Sequence, residues 1–284
     1  MKKLFTLVLL AFASVAFGQS KMACCAKPSA KTSATRQFAM LAADKKFVLS
    51  HPVPLKYHFQ SHLGKAITYK TPDGKTANGY LFMSSNPKAN YLLVIHEWWG
   101  LNDWVKKESE KLFTDLGNVN VLDLDLYDGK VATTREEAGA LMQAVKDDRA
   151  RAIINGAIAY TGAKARIATI GWCFGGGWSL QASLLAADRA DACVMYYGMP
   201  EQDVKKLKTL HADVLGNFAN KDQWINPKTV AKFQTDMQAA GKKLTVHTFD
   251  ADHGFANPSN PIYDSKATKE AYGYTIAFLK SKLK

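Results

Sequence analysis

Cys173 stands at the centre of Gly171-Trp172-Cys173-Phe174-Gly175-Gly176-Gly177, after the apolar run Ile167-Ala168-Thr169-Ile170 and before a helical pattern from Trp178 to Ala187. That order reads as strand, glycine-framed sharp turn and helix. The glycines suit a turn that strains its central residue and packs closely on both sides. A thiol at a helix N-terminus has its thiolate favoured by the helix dipole, so the pattern suits a nucleophile. The same heptapeptide also suits a softened turn around an inert buried cysteine. A nucleophile needs a base, and the base a group to orient it. Val214 to Phe218 reads as a strand with Ala219 to Trp224 as its exit loop, which puts Asp222 at a strand end. Leu244 to Phe249 alternates as a strand, and the loop after it carries His253 beside Gly254. Each alone also reads as an ordinary loop residue. Three ordered hits on three strand ends favour thiol, carboxylate and imidazole acting together. Glu97 lies two residues beyond the apolar strand Tyr91 to Ile95, at the same sheet edge, where it either tunes the thiol or caps the helix starting near Asn102.

With these residues in place, the chain from about Lys65 onward resembles the dienelactone hydrolase family, a cysteine-using branch of the α/β-hydrolases. The resemblance rests on His96-Glu97-Trp98-Trp99-Gly100-Leu101-Asn102, Leu124-Asp125-Leu126-Tyr127, Gly171 to Gly176, Asp222 and His253-Gly254-Phe255. It implies Cys173 as nucleophile, His253 as base, Asp222 as its orienting acid, and Glu97 as the partner of the resting thiol. It further implies an oxyanion hole from the backbone N–H groups of Trp98 and Phe174. The implied reaction is hydrolysis of esters or lactones through an acyl-thioester, with no metal and no organic cofactor. Trp99, Trp172, Trp224 and Phe255 are candidates for an apolar substrate wall. The family holds a substrate carboxylate with two arginines. Their counterparts here are Thr133 and Asn257, so neutral substrates are expected unless Arg135 or Lys221 restores an anion site. Ser179 and Ser183 lie inside the helix after the turn, which disfavours a serine-type peptidase or lipase. A non-catalytic ligand-binding or thiol-redox protein on the same scaffold is the alternative.

The elements that must position these groups alternate along the chain. Lys65 to Tyr69 and Gly79 to Met83 flank the Thr71-Pro72-Asp73-Gly74 turn as an antiparallel hairpin. Strands follow at Tyr91 to His96, Val119 to Asp125, the Cys173 strand, Ala192 to Tyr197, and the two strands ahead of Asp222 and His253. Helices are expected at Asn102 to Leu116, Thr134 to Asp147, on to about Thr161, Pro227 to Ala240, and Ser265 to Leu283. The fold class is therefore α/β: an α/β-hydrolase fold, a mostly parallel doubly wound sheet with an N-terminal antiparallel hairpin. Reactive groups belong at the carboxyl ends of its strands.

The 284 residues carry a formal charge of +12, spread over helix faces and the C-terminal tail instead of one stripe, so nucleic acid is not an expected partner. Met1-Lys2-Lys3, the apolar run Leu4 to Ala16 and Ala16-Phe17-Gly18 read as a signal peptide over residues 1–18, hence export to the periplasm or medium. The run is too short for a stable membrane anchor. Lys21-Met22-Ala23 makes a poor context for lipid attachment at Cys24 or Cys25. Residues 19–58 read as a flexible leader, with a short amphipathic helix over Phe38 to Phe47 that either packs on the domain or forms a lid. Residues 59–284 form one catalytic domain, expected as a monomer acting on a small ester or lactone.

Overall fold

The computed structural model describes Met1, residues 32–86 and residues 89–283. The expected signal peptide beyond Met1, and the adjacent Cys24 and Cys25, lie outside the described residues. Residues 32–283 belong to one compact unit.

Two short helices come first, α1 (Ala34–Ala39) and α2 (Lys45–Leu49), joined by a 3-10 turn over Met40–Ala43. Ser33 and Asp44 cap them by accepting from the backbone N–H groups of Arg36 and Lys46. The antiparallel pair β1 (Gly64–Lys70) and β2 (Thr76–Phe82) follows, then β3 (Asn90–Ile95), α3 (Asp103–Leu116) and β4 (Val119–Leu124). Next come α4 (Arg135–Ala144), α5 (Asp147–Tyr160), β5 (Ile167–Trp172), α6 (Phe174–Ala186) and β6 (Ala190–Tyr196). The short α7 (Val204–Leu207), β7 (Asp213–Ala219), α8 (Pro227–Ala239), β8 (Leu244–Phe249) and α9 (Ser265–Lys282) complete the chain.

The eight strands lie in the order β1-β2-β4-β3-β5-β6-β7-β8. β2 runs antiparallel to β4, and every pairing from β4 to β8 is parallel. β3 from Leu92 on, β4 and β6 are almost wholly buried and mostly apolar, as strands covered on both faces must be, with Asn120 and Asp123 the polar residues of β4. The chain goes from β3 outward to β4, then returns to β5 on the other side of β3. That reversal is the topological switch point where α/β sheets open a crevice. Ile95 pairs with Gly171 across it, so the residues following both strands emerge side by side.

Helix α6 starts at Phe174, four residues ahead of the expected Trp178, because the three glycines are helical. A Cβ on Gly175 would meet the Ile95 carbonyl oxygen at 2.2 Å, and one on Gly176 the Tyr196 oxygen at 2.7 Å. Glycine thus lets the helix start sit directly on β3 and β6. The hydroxyls of Thr169, Ser179 and Ser183 bond one another between β5 and α6, so both helix serines are buried structural groups.

The flexible leader expected up to residue 58 needs correction. From residue 32 on it is folded onto the domain, since Phe38 and Phe47 are fully buried against it. Burying two such rings contributes several kcal/mol, enough to order a short segment.

Candidate active site

The nucleophile candidate sits on a strained turn. Cys173, between β5 and α6, has φ 57° and ψ −118°, a positive-φ conformation that costs an ordinary residue free energy and that the packing on both sides must impose. Its N–H donates to the Tyr196 carbonyl at 3.0 Å, tying the turn to β6. The sulfur is buried, and only 1% of the residue is exposed.

His253 reaches that sulfur from the loop after β8, with Nε2 at 3.4 Å. Its Nδ1 lies 2.6 Å from Asp222 Oδ2, in the loop after β7. Asp222 is in turn held by the Trp224 and Ile225 N–H groups, which donate to Oδ1 at 2.8 and 2.9 Å. The two loops are stitched together where Lys221 N–H donates to the Ala251 carbonyl. The result is a buried thiol–imidazole–carboxylate chain. Burial works against charge on His253, but the Asp222 carboxylate and the Cys173 sulfur outweigh it and lift its pKa to about 10. Burial pushes the Cys173 thiol up, while His253 pulls it back; the Glu97 charge adds to the rise. Against its own burial, Asp222 is held below the usual carboxylate range by His253 and by the backbone N–H groups it accepts from.

Glu97 follows β3, next to the switch point. Burial raises its pKa to about 7, against the pull of Asn257 and His253. Asn257 Nδ2 donates to Glu97 Oε2 at 2.8 Å and so holds the carboxylate in place, which makes it a partner of Glu97 within the site. Both line a small cleft with Trp172 and Trp104. The cleft stops short of the sulfur. Of the two expected oxyanion donors, the Phe174 N–H bonds the Cys173 sulfur, and Trp98 follows Glu97 in the loop after β3. Neighbouring His96 is structural. It is wholly buried, its Nε2 accepts the Leu126 N–H at 3.1 Å, and so it pins the loop after β4 to the one after β3.

Several expected substrate contacts fall elsewhere. Phe255 is fully buried against Tyr197 and Phe249, a core ring and not a pocket wall. Trp99 is likewise buried, edge-on to Trp98. Thr133 is exposed, and its N–H and hydroxyl both donate to Glu137 at the start of α4, so it serves that helix end. Arg135 turns its Nε to the His51 carbonyl, to which it donates at 2.9 Å. Lys221 pairs with exposed Asp250.

One residue in the site had no place in the sequence reading. His51, just past α2, puts Nε2 3.8 Å from the Cys173 sulfur. Phe47 sits one helical turn earlier, its ring 4.2 Å from that of His51, 5.2 Å from Trp224 and 5.9 Å from His253, centroid to centroid. Asp44 accepts from Trp224 Nε1 at 3.0 Å. The segment therefore roofs the thiol. Burial drops the His51 pKa to about 3, with the neighbouring His253 adding to the fall, so this ring is neutral. The available sign was the Phe47/His51 spacing of four, which puts both on one helix face.

The sequence profile of the dienelactone hydrolase family matches residues 77–283. Protein usf of Aquifex pyrophilus is 27% identical over 236 residues, 78% of this chain and 100% of that protein. Carboxymethylenebutenolidase 1 of Cupriavidus pinatubonensis is 23% identical over 76% of this chain and 97% of its own length. Among solved structures, a dienelactone hydrolase-like promiscuous phosphotriesterase from metagenomic libraries superposes with a TM-score of 0.65. It is 20% identical and covers 78% of this chain and 99% of its own.

Proposed function

This chain belongs to the dienelactone hydrolase family and is a hydrolase of ester or lactone bonds, and we propose that it is an exported enzyme that works on neutral substrates through an acyl-thioester on Cys173. The observation that carries the reading is the buried chain from Asp222 through His253 to the Cys173 sulfur, with hydrogen-bond contacts of 2.6 and 3.4 Å. His253 Nε2 takes the thiol proton as the sulfur attacks the substrate carbonyl carbon. The Trp98 and Phe174 N–H groups stabilise the tetrahedral oxyanion. Its collapse expels the alkoxide, which takes the proton back from His253, and leaves a thioester. His253 then removes a proton from water as its oxygen attacks the thioester. The acid departs and the proton returns to sulfur. Export rests on the basic start and short apolar run over residues 1–18.

The preference for neutral substrates rests on charge. Thr133 and Asn257 occupy the positions of the family's carboxylate-holding arginines, and each is turned to a carboxylate of the chain itself, Glu137 and Glu97. A missing pair of charge-assisted bonds is worth on the order of a hundredfold in kcat/KM. The test is hydrolysis of a neutral lactone and of its carboxylated counterpart by the wild type and by Cys173→Ala. The neutral form should lead, and the alanine variant should lose about a thousandfold or more in kcat. Retained activity in Cys173→Ala sinks the mechanism; a carboxylated preference sinks the substrate assignment. Because the sulfur is roofed by α2, turnover also requires residues 44–51 to move aside.

A further inference from the structure

We propose that His51, Cys173 and His253 form a binding site for a borderline-soft divalent cation, Zn(II) in the first place, and that the bound ion shuts the hydrolase by taking its nucleophile and its base together. The two contacts to sulfur are 3.8 Å from His51 Nε2 and 3.4 Å from His253 Nε2, and the three donor atoms lie within 4.8 Å of one another. Zinc bonds of about 2.3 Å to sulfur and about 2.0 Å to nitrogen in a tetrahedron separate S from N by about 3.6 Å. The observed S–N spacings bracket that value, and the two imidazoles must turn toward each other to bring their nitrogens from within 4.8 Å to the roughly 3.3 Å that tetrahedral zinc holds.

The outer contacts are those of a metal site. His51 Nδ1 lies 2.6 Å from the Phe47 carbonyl and His253 Nδ1 lies 2.6 Å from the Asp222 carboxylate. Each contact places a proton on Nδ1 and aims Nε2 at the sulfur, the arrangement in which imidazole ligands are held for zinc; the His253 Nε2 gives up its proton when the ion binds. The ion's two positive charges are matched by the thiolate and by Asp222. Binding forms one Zn–S and two Zn–N bonds, and it releases the thiol proton to solvent together with any proton carried on His253 Nε2. Water fills the fourth position. The site exists only while α2 roofs the thiol, because His51 comes from that segment; the ion ties the roof down. Inhibition rests on Cys173 being the nucleophile as proposed above, whereas binding does not.

The test uses the full chain with Cys24→Ser and Cys25→Ser, which removes the other thiol pair. Cobalt(II) is titrated while thiolate-to-cobalt charge-transfer absorption is followed, and zinc is then added by calorimetry and in an assay with a neutral ester. One equivalent of cobalt should bind with a sulfur charge-transfer band, zinc should displace it, and zinc should stop turnover reversibly with EDTA. His51→Gln, which keeps a polar side chain at the end of α2, and His51→Ala should each weaken zinc on the order of a hundredfold or more. Absence of the band, or zinc affinity unchanged in a folded His51 variant, overturns the site. Stoichiometric zinc binding without loss of turnover overturns the inhibitory role. A cobalt band in a protein that hydrolyses no ester supports the site and counts against the proposed function alone.

Discussion

Asp222→Asn isolates what the buried carboxylate does. Asp222 Oδ1 accepts from the Trp224 and Ile225 N–H groups, and Oδ2 faces His253 Nδ1 at 2.6 Å. An asparagine keeps an oxygen for the two backbone donors, so the loop cap survives. Its amide nitrogen must then face His253 Nδ1 and donate to it. The imidazole proton moves to Nε2, which points an N–H at the Cys173 sulfur, 3.4 Å away, in place of the lone pair that takes the thiol proton. The rise of the His253 pKa from 6.5 to about 10 is roughly 5 kcal/mol in favour of imidazolium, shared between Asp222 and the sulfur. Losing the Asp222 share removes on the order of a hundredfold, and the inverted tautomer adds to it. The expected fall in kcat is about 10³- to 10⁴-fold. The assay is hydrolysis of an activated neutral ester, read beside the thermal unfolding midpoint, which should shift little because both backbone bonds to residue 222 persist. A folded Asp222→Asn enzyme within about threefold of wild type would refute the reasoning and send the search for the acid to Asp250 or Asp252.

Glu97→Gln should flatten part of the pH dependence of stability. The folded carboxyl sits at about 7 against an ordinary 4.5, so its contribution is fully present below about pH 4.5 and is lost as pH rises through about 7. Relative to wild type, the glutamine variant should therefore gain roughly 2 kcal/mol between pH 5 and pH 8.5, measured by urea unfolding, with an unchanged difference counting against a buried acid. Phe47→Ala should loosen the roof while the sheet stays intact. Deleting a fully buried ring costs about 3–5 kcal/mol, so iodoacetamide should alkylate Cys173 at least tenfold faster than in wild type; equal rates would mean that α2 does not guard the thiol.

Strand and helix were legible in the sequence because both faces of β3 and β6 are covered and give the apolar runs Tyr91 to Ile95 and Ala192 to Tyr196, while the solvent side of α3 and α9 keeps a helical period. Cys173, Asp222 and His253 were legible for a related reason: each follows a recognisable strand, and a parallel sheet delivers strand ends to one edge. The roles of their neighbours were decided by packing. Phe255 and Trp99 look like pocket aromatics in one dimension, but the core takes both. Asn257 and Thr133 are equally polar in sequence, yet Thr133 serves Glu137 four residues on in its own helix start, whereas only the folded loops bring Asn257 to Glu97, 160 residues away. His51 is the furthest case. Its spacing of four from Phe47 ties it to that ring, but nothing local says that the pair will come to rest on a thiol 122 residues further along the chain. Its place is settled when Phe38 and Phe47 bury themselves over the switch point, since hydrophobic burial has no direction along the chain and draws with it whatever shares that helix face.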